Sequence, residues 1–240
     1  MLINLKNRTC LVTGGTRGIG QAIVESFLAA GAIVIFTGKS STREVYHPNA
    51  IYESVDFTID ESVALFIKNL DKYKIDVLVN NAGINKIDTF GDIDPEDFIR
   101  IQKVNVEGPF RLCKYLAPLM ANRNYGRIVN IGSIFGHVSK EKRASYSTAK
   151  FAILGMSKAL ALDYATSNVL VNVVSPGFID TELTRTVLSS AEIESLKELV
   201  PMKRLGTPAE VAKLVTFLSS ESNSFINAQN ILIDGGFTSV

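Results

Sequence analysis

The sequence predicts an α/β fold: one domain built on a doubly wound parallel sheet of about seven strands, with helices on both faces. Three observations predict it. Short apolar runs rich in Val, Ile and Leu alternate with segments whose apolar residues recur at helical spacing. A glycine-rich turn joins the first run to the first helix. No linker, internal repeat or low-complexity segment interrupts the rhythm along the 240 residues. Strands separated by helices run parallel, because each right-handed crossover returns the chain to the same end of the sheet.

Residues 9–13 form a short apolar run ending in glycines, which reads as a buried strand. Over residues 20–30, Ala22, Ile23, Phe27 and Ala30 follow helical spacing and Gly31 supplies the stop. Residues 33–37 are the second strand, rich in β-branched side chains. Residues 51–56 and 77–80 are the third and fourth, separated by a helix with Val63, Leu65, Phe66, Ile67 and Leu70 as its apolar positions. Residues 39–50 are too few for a full crossover helix. One long helical region is expected from about Pro95 to Met120, with Pro95 suited to its first turn. Residues 127–131 and 169–174 are strands flanking the helix that carries Tyr146. Residues 180–205 read as a polar helical segment. Thr207-Pro-Ala-Glu210 is a capping box, opening a helix with Val211, Leu214, Val215 and Leu218 on one face. Residues 231–234 make the last strand.

The charge is near balance, 25 Lys and Arg against 24 Asp and Glu, which removes the electrostatic reason to propose nucleic acid or an anionic membrane as partner. No apolar run approaches the ~20 residues that cross a bilayer, and residues 1–8 lack the apolar core of a secretory signal. Cys10, Cys113, His47 and His137 are isolated, giving neither a metal spacing nor a disulfide framework. Both thiols are expected to be buried and reduced. The expectation is a soluble cytoplasmic protein with no metal.

Thr13-Gly-Gly-Thr-Arg-Gly-Ile-Gly20 links the first strand to the first helix, with Gly14, Gly18 and Gly20 spaced G-x-x-x-G-x-G. Such a turn brings backbone close to phosphates and places a pyrophosphate at a helix N-terminus. It misses the Walker pattern, since no Gly-Lys-Ser/Thr follows. NAD-selective sheets end their second strand in an acid that accepts from the ribose 2′-hydroxyl. Here that end reads Phe36-Thr-Gly-Lys-Ser-Ser41, with no acid. Lys39, together with Arg17 in the turn, suits a 2′-phosphate instead, so NADP(H) is preferred and NAD(H) is the alternative.

Tyr146 and Lys150 lie four residues apart, which puts phenol and ammonium on one helix face. A free phenol titrates near pH ~10. A cation beside it favours the phenolate and fits the group for proton exchange. A hydrolase would want a strand-turn-helix Gly-x-Ser-x-Gly, and the nearest approach, Gly155-Met-Ser-Lys-Ala159, lies within a predicted helix and lacks the last glycine. A non-catalytic cofactor-sensing module has little need for Ser133, Tyr146 and Lys150 together.

Gly14-x-x-x-Gly18-x-Gly20, Asn80-Asn-Ala-Gly83, Ser133, Tyr146-x-x-x-Lys150 and Pro176-Gly177 occur in the order seen in the short-chain dehydrogenase/reductase family, which the chain resembles over nearly its whole length. The resemblance implies a Rossmann-like domain whose catalytic residues are Asn105, Ser133, Tyr146 and Lys150. Tyr146 would exchange a proton with the substrate oxygen, Lys150 would lower its pKa and hold the nicotinamide ribose, Ser133 would polarise the substrate oxygen, and Asn105 would hold a water leading to Lys150. Cofactor contacts would come from Gly14, Thr16, Arg17, Gly18, Ile19 and Gly20, from Lys39 and Asp56, and from Asn81, Ala82 and Gly83. Tyr146 and Lys150 would add to these, with Pro176, Gly177, Ile179 and Thr181 near the carboxamide. Residues 180–205 would be the substrate lid.

Within the family the chain is similar to 3-oxoacyl-acyl-carrier-protein reductases, through Leu11-Val-Thr-Gly-Gly-Thr-Arg-Gly-Ile-Gly20, Gly126-Arg-Ile-Val-Asn-Ile-Gly-Ser133 and Val171-Asn-Val-Val-Ser-Pro-Gly-Phe-Ile179. That implies a small-molecule carbonyl or alcohol substrate, carried in this case on acyl carrier protein. Ala165-Thr-Ser-Asn168 lacks one basic residue expected to dock the carrier, while Arg127 keeps the other. Lys140-Glu-Lys-Arg143, between Ser133 and Tyr146, suits either a solvated loop or selection of an anionic substrate such as a sugar acid or nucleotide-sugar. A homotetramer is expected, with Phe110, Leu112, Leu116 and Ile153 fitting either an interface or the core.

Overall fold

The apolar runs form seven strands: β1 (Thr9–Val12), β2 (Ile33–Gly38), β3 (Ala50–Ser54), β4 (Val77–Asn80), β5 (Gly126–Ile131), β6 (Val169–Pro176) and β7 (Asn230–Ile233). In the computed structural model, which describes residues 3–45, 47–187 and 189–240, they pair in parallel in the order β3-β2-β1-β4-β5-β6-β7. The chain builds outward from β1 to β3, returns to the centre, and builds outward again from β4 to β7. The loops leaving β1 and β4 therefore part to opposite sides and open a crevice at their carboxyl ends.

Among the described residues there are eight α-helices: α1 (Gly18–Ala29), α2 (Asp60–Asn69), α3 (Pro95–Gln102), α4 (Gly108–Asn122), α5 (Ala144–Asp163), α6 (Glu182–Val187), α7 (Ser190–Leu199) and α8 (Pro208–Ser219). Successive strand residues face opposite sides, so Cys10 and Val12 meet Ile23 and Phe27 of α1 and Val211 and Val215 of α8. Leu11 and Ile35 meet Phe66 of α2 and Leu112, Leu116 and Met120 of α4. Both faces are sealed, which is why these strands read as continuous apolar runs. Both cysteines are buried, and burial pushes the Cys113 thiol up to about 12. Among the described residues no helix is long and apolar enough to cross a membrane.

Several expectations need correction. The helical region from Pro95 is not continuous: a π-turn at Lys103–Glu107 separates α3 from α4. Its cause is Pro109, which supplies no N–H to the Asn105 carbonyl four residues earlier and whose ring would clash with it. Gly108 N–H bonds Lys103 O instead, the five-residue step of a π-turn. Leu65 is exposed rather than on the buried face of α2. Leu112, Leu116 and Ile153 belong to the core, and of the four residues considered for an interface only Phe110 is exposed. Arg127 is buried at 3 % exposure and donates to the carbonyls of Gly126, Asn168 and Asn223, so it presents no charge for docking.

Among the described residues no helix joins β2 to β3, as the short segment requires. Residues 180–205 carry α6 and α7, the latter opened by a Ser189/Glu192 capping box. The box at Thr207 and Glu210 forms with both reciprocal bonds.

Candidate active site

The glycine-rich turn and the end of β4 are joined across the crevice. Thr13 Oγ1 accepts from the N–H groups of Asn81 and Ala82, each at 3.0 Å. Asn81 Nδ2 donates back to the carbonyls of Thr13 and Gly14, each at 2.9 Å. Thr37, at the end of β2, fixes the turn from the other side, its hydroxyl accepting from Gly14 N–H at 3.1 Å. Thr13 and Thr37 are supporting residues that pattern reading missed; each is a threonine closing an apolar strand.

Gly20 packs so closely that a Cβ there would lie 2.1 Å from Gly14 O. Gly18, at φ +55°, faces open space instead, with Thr181 the nearest neighbour at 3.7 Å. Ile19 packs on the core beneath the turn, and Thr16 packs against Gly38 at the end of β2. An open cleft of about 540 Å³ extends from Gly18 and Gln21 to Thr181 and Arg185. Close backbone, an accessible helix N-terminus and an open mouth suit a dinucleotide pyrophosphate.

At the far end of the crevice Lys39 is not free: its ammonium pairs with Asp56 at 2.8 Å. Asp56 also accepts from Thr58 N–H at 2.9 Å and its hydroxyl at 2.7 Å. Burial raises the Asp56 pKa, but Lys39 and Thr58 outweigh it and hold the carboxylate below its usual range. Arg17 is exposed at the start of α1. Arg43, not singled out from sequence, lies 5.8 Å over the Phe36 ring and adds a third cation at this end.

The side chains expected to do chemistry converge where β5 ends. Ser133 leaves β5 in extended conformation and its Oγ accepts from Phe135 N–H at 3.1 Å. Tyr146, in the first turn of α5, lies beside Ser133. Burial raises its pKa; the Ser133 hydroxyl and the charge of Arg143 pull toward the phenolate. Lys150 is 5 % exposed, its Nζ donates to Ile131 O at 2.7 Å, and it lies 5.4 Å from the centre of the Tyr146 ring. Burial brings its pKa down to about 8.

Asn105 occupies the π-turn and clamps Ile84 at both ends, accepting from its N–H and donating to its carbonyl, each at 2.9 Å. That clamp fixes the chain just after Gly83, 3.4 Å from Asn105 Oδ1 to a Cβ placed there. Pro176 closes β6, Gly177 packs on Asp234, and Ile179 buries its side chain in the core while its carbonyl accepts from the Thr184 hydroxyl at 2.8 Å. An aromatic wall of Phe135, Phe178 and Phe237, with ring centres 6.5 and 5.1 Å apart, stands beside the site.

A dinucleotide crevice at the switch point, with serine, tyrosine and lysine gathered at the end of the fifth strand, defines an oxidoreductase of the alcohol–carbonyl class. A family model described as enoyl-(acyl-carrier-protein) reductase matches residues 14–238. The 3-oxoacyl-[acyl-carrier-protein] reductase FabG of Aquifex aeolicus is 38 % identical over 98 % of this chain and 99 % of its own length. The gluconate 5-dehydrogenase of Burkholderia cenocepacia, solved with NADP and tartrate, superposes with a TM-score of 0.92 at 28 % identity, covering 100 % of this chain and 98 % of that one. A short-chain type dehydrogenase/reductase of Mycobacterium marinum gives a TM-score of 0.90 at 30 % identity, over 100 % of this chain and 98 % of the other. The chain belongs to the short-chain dehydrogenase/reductase family.

Proposed function

We propose that this protein interconverts a ketone and a secondary alcohol with NADP(H), and that a 3-oxoacyl thioester of the acyl-carrier-protein type is its substrate. The observation that carries the reaction is the meeting of Ser133, Tyr146 and Lys150 beside the crevice. The near-full-length likeness to FabG supports the thioester. The glycine cradle, the cations Arg17 and Arg43, and the absence of an acid at the end of β2 support the phosphorylated cofactor, as does the NADP in a structural relative; Lys39 would join them on leaving Asp56.

When bound, the cofactor supplies or takes up the hydride. Tyr146 gives its proton to the carbonyl oxygen during reduction and removes it during oxidation. Ser133, beside the phenol, donates its one hydroxyl proton to the same oxygen and stabilises the charge that develops there. Lys150 holds the nicotinamide ribose and restores the tyrosine proton, and Asn105 holds the end of a water path leading to it. Gly14, Thr16, Ile19, Asn81, Ala82, Pro176, Gly177, Ile179 and Thr181 line the cofactor, and residues 180–205 close over the substrate.

A second substrate reading, a sugar acid or related hydroxy acid, is favoured by one observation: Arg143 turns toward Tyr146 with no carboxylate partner among the described residues. Exposed Phe110 and Phe151, on α4 and α5, support assembly into the homotetramer that the family resemblance implies; light scattering measures it.

The test is NADPH oxidation with a short 3-oxoacyl thioester, by the wild type and by Tyr146→Phe. Turnover that falls about 10³-fold in the variant, with NADPH affinity kept, is the expected result. A variant as active as the wild type sinks the assignment.

A further inference from the structure

Four consecutive charged residues precede the catalytic helix, and the structure separates them. Lys140 pairs with Glu141 at 3.9 Å, and Lys142 is exposed in the left-handed region at φ +63°. Arg143 alone turns inward. It is half-buried, and its guanidinium lies 5.3 Å over the ring of Phe135. Phe135 is the residue whose N–H bonds Ser133 Oγ, and Arg143 stands three residues before Tyr146. Ser133 and Arg143 therefore both engage Phe135, the serine through its N–H and the arginine over its ring, with Tyr146 one helical turn on.

Among the described residues no carboxylate, hydroxyl or carbonyl accepts from this guanidinium, although fifteen other ion pairs satisfy cations elsewhere on the molecule. Taking an arginine out of water without an anion costs free energy. The position adds to the cost, because Arg143 is the N-cap of α5 and its charge meets the positive end of the helix dipole. An anion brought by a ligand would remove both penalties, and a carboxylate matches the guanidinium fork bidentately.

We propose that Arg143 is a specificity-determining residue that binds a carboxylate on the substrate, so that the preferred substrate is an oxo acid, or the corresponding hydroxy acid, with its carboxylate a few bonds from the reacting carbon. The proposal rests on Tyr146 being the proton-transfer group, and it sharpens the second of the two substrate readings. The 3-oxo group is kept in common with the thioester; the charge is what is added. Phosphate on a distant carrier arm is excluded by reach, since the guanidinium sits within one helical turn of the tyrosine.

The experiment compares 3-oxobutanoate with its methyl ester, which lacks that charge and adds one methyl group, and with 3-oxobutanamide, which lacks the charge at nearly the same size. Binding of each to the NADP⁺-loaded full chain is measured by calorimetry, and NADPH oxidation is followed in parallel. The wild type is expected to bind the acid at least tenfold more tightly than the ester or the amide, Arg143→Gln to lose that preference, and Arg143→Lys to keep part of it. Absence of a preference in the wild type, or a preference that survives Arg143→Gln, overturns the proposal. A loss of equal size for acid, ester and amide also overturns it, since that marks an effect on Tyr146 alone. Tyr146→Phe separates the two ideas: it keeps the binding preference and loses turnover if both hold, and continued turnover in it removes the catalytic assignment whatever Arg143 does.

Discussion

The ammonium of Lys150 donates to the carbonyl oxygen of Ile131 across 2.7 Å, tying the middle of α5 to the last residue of β5. A single carbonyl is a thin partner for a buried cation, and burial lowers the lysine pKa from 10.5 to about 8. Between those values the unfolded chain holds a proton that the folded chain has released, so stability rises with pH through that window. The rise is worth up to about 3 kcal/mol for a shift of this size. Urea titrations at pH 7.5 and 10 are expected to show it in the wild type and not in Lys150→Met. Identical pH dependence in both proteins rules the explanation out.

Tyr146 is pushed up by burial and held back by Ser133 and Arg143. In alcohol oxidation the phenolate is the working form, so the rate climbs with pH through the tyrosine pKa. Ser133→Ala removes one of the restraining interactions, and we expect the rising limb to move to higher pH. The plateau is expected to fall by roughly 10²-fold, as when an oxyanion donor is lost. A limb that stays in place, in a profile of kcat against pH, separates Ser133 from the tyrosine.

Three glycines give three different outcomes on replacement by alanine. Gly20→Ala drives a methyl to 2.1 Å from Gly14 O and 2.5 Å from Asn81 Nδ2, and the overpacking is expected to cost about 1–3 kcal/mol together with cofactor binding. Gly18→Ala has room but keeps φ +55°, a conformational cost of about 1–2 kcal/mol. Gly155, exposed within α5 with nothing within 4 Å of its added Cβ, is expected to gain about 0.5–1 kcal/mol. Thermal melts of the three variants give the order; a Gly155→Ala protein less stable than wild type contradicts it.

Asn105→Ala removes both bonds to Ile84. At about 1 kcal/mol each, the loss is roughly 2 kcal/mol. Because the clamp positions the segment after Gly83, the KM for the dinucleotide is expected to rise with it. Asn105→Asp, which keeps the acceptor and loses the donor, is expected to fall between. Unchanged KM in the alanine variant would show that the segment is held by its backbone alone.

The strands were legible because both faces of the sheet are covered, leaving runs such as Leu11-Val12 and Val77-Leu-Val79 with no polar interruption. The capping box at Thr207 and Glu210 was equally plain, since it is a local pattern with a local bond. The π-turn at Asn105 was not read, although its signal was present in Pro109, four residues on. A periodicity search counts side chains and passes over a missing N–H. Arg127, Lys39 and Leu112 show a second limit. Whether a charge is free or paired, and whether an apolar face meets the core or solvent, depends on residues distant in the chain. Asp56 lies 17 positions from Lys39, yet a 2.8 Å contact decides what that lysine offers. The four residues 140–143 were indistinguishable as a run, and only the fold set one of them apart, Arg143 over the Phe135 ring.

The bonds joining Thr13 and Gly14 to Asn81 and Ala82 have a consequence for how such a protein diversifies. They rivet the floor of the crevice where the two halves of the sheet diverge. A riveted floor resists widening by small steps, since replacing Thr13 or Asn81 by an apolar residue strips two bonds at once. Inherited change is channelled to the rim, where Lys39, Arg43, Arg143 and residues 180–205 hang from loops and short helices. New chemistry on this scaffold is therefore a matter of exchanging fringes around an unaltered keel.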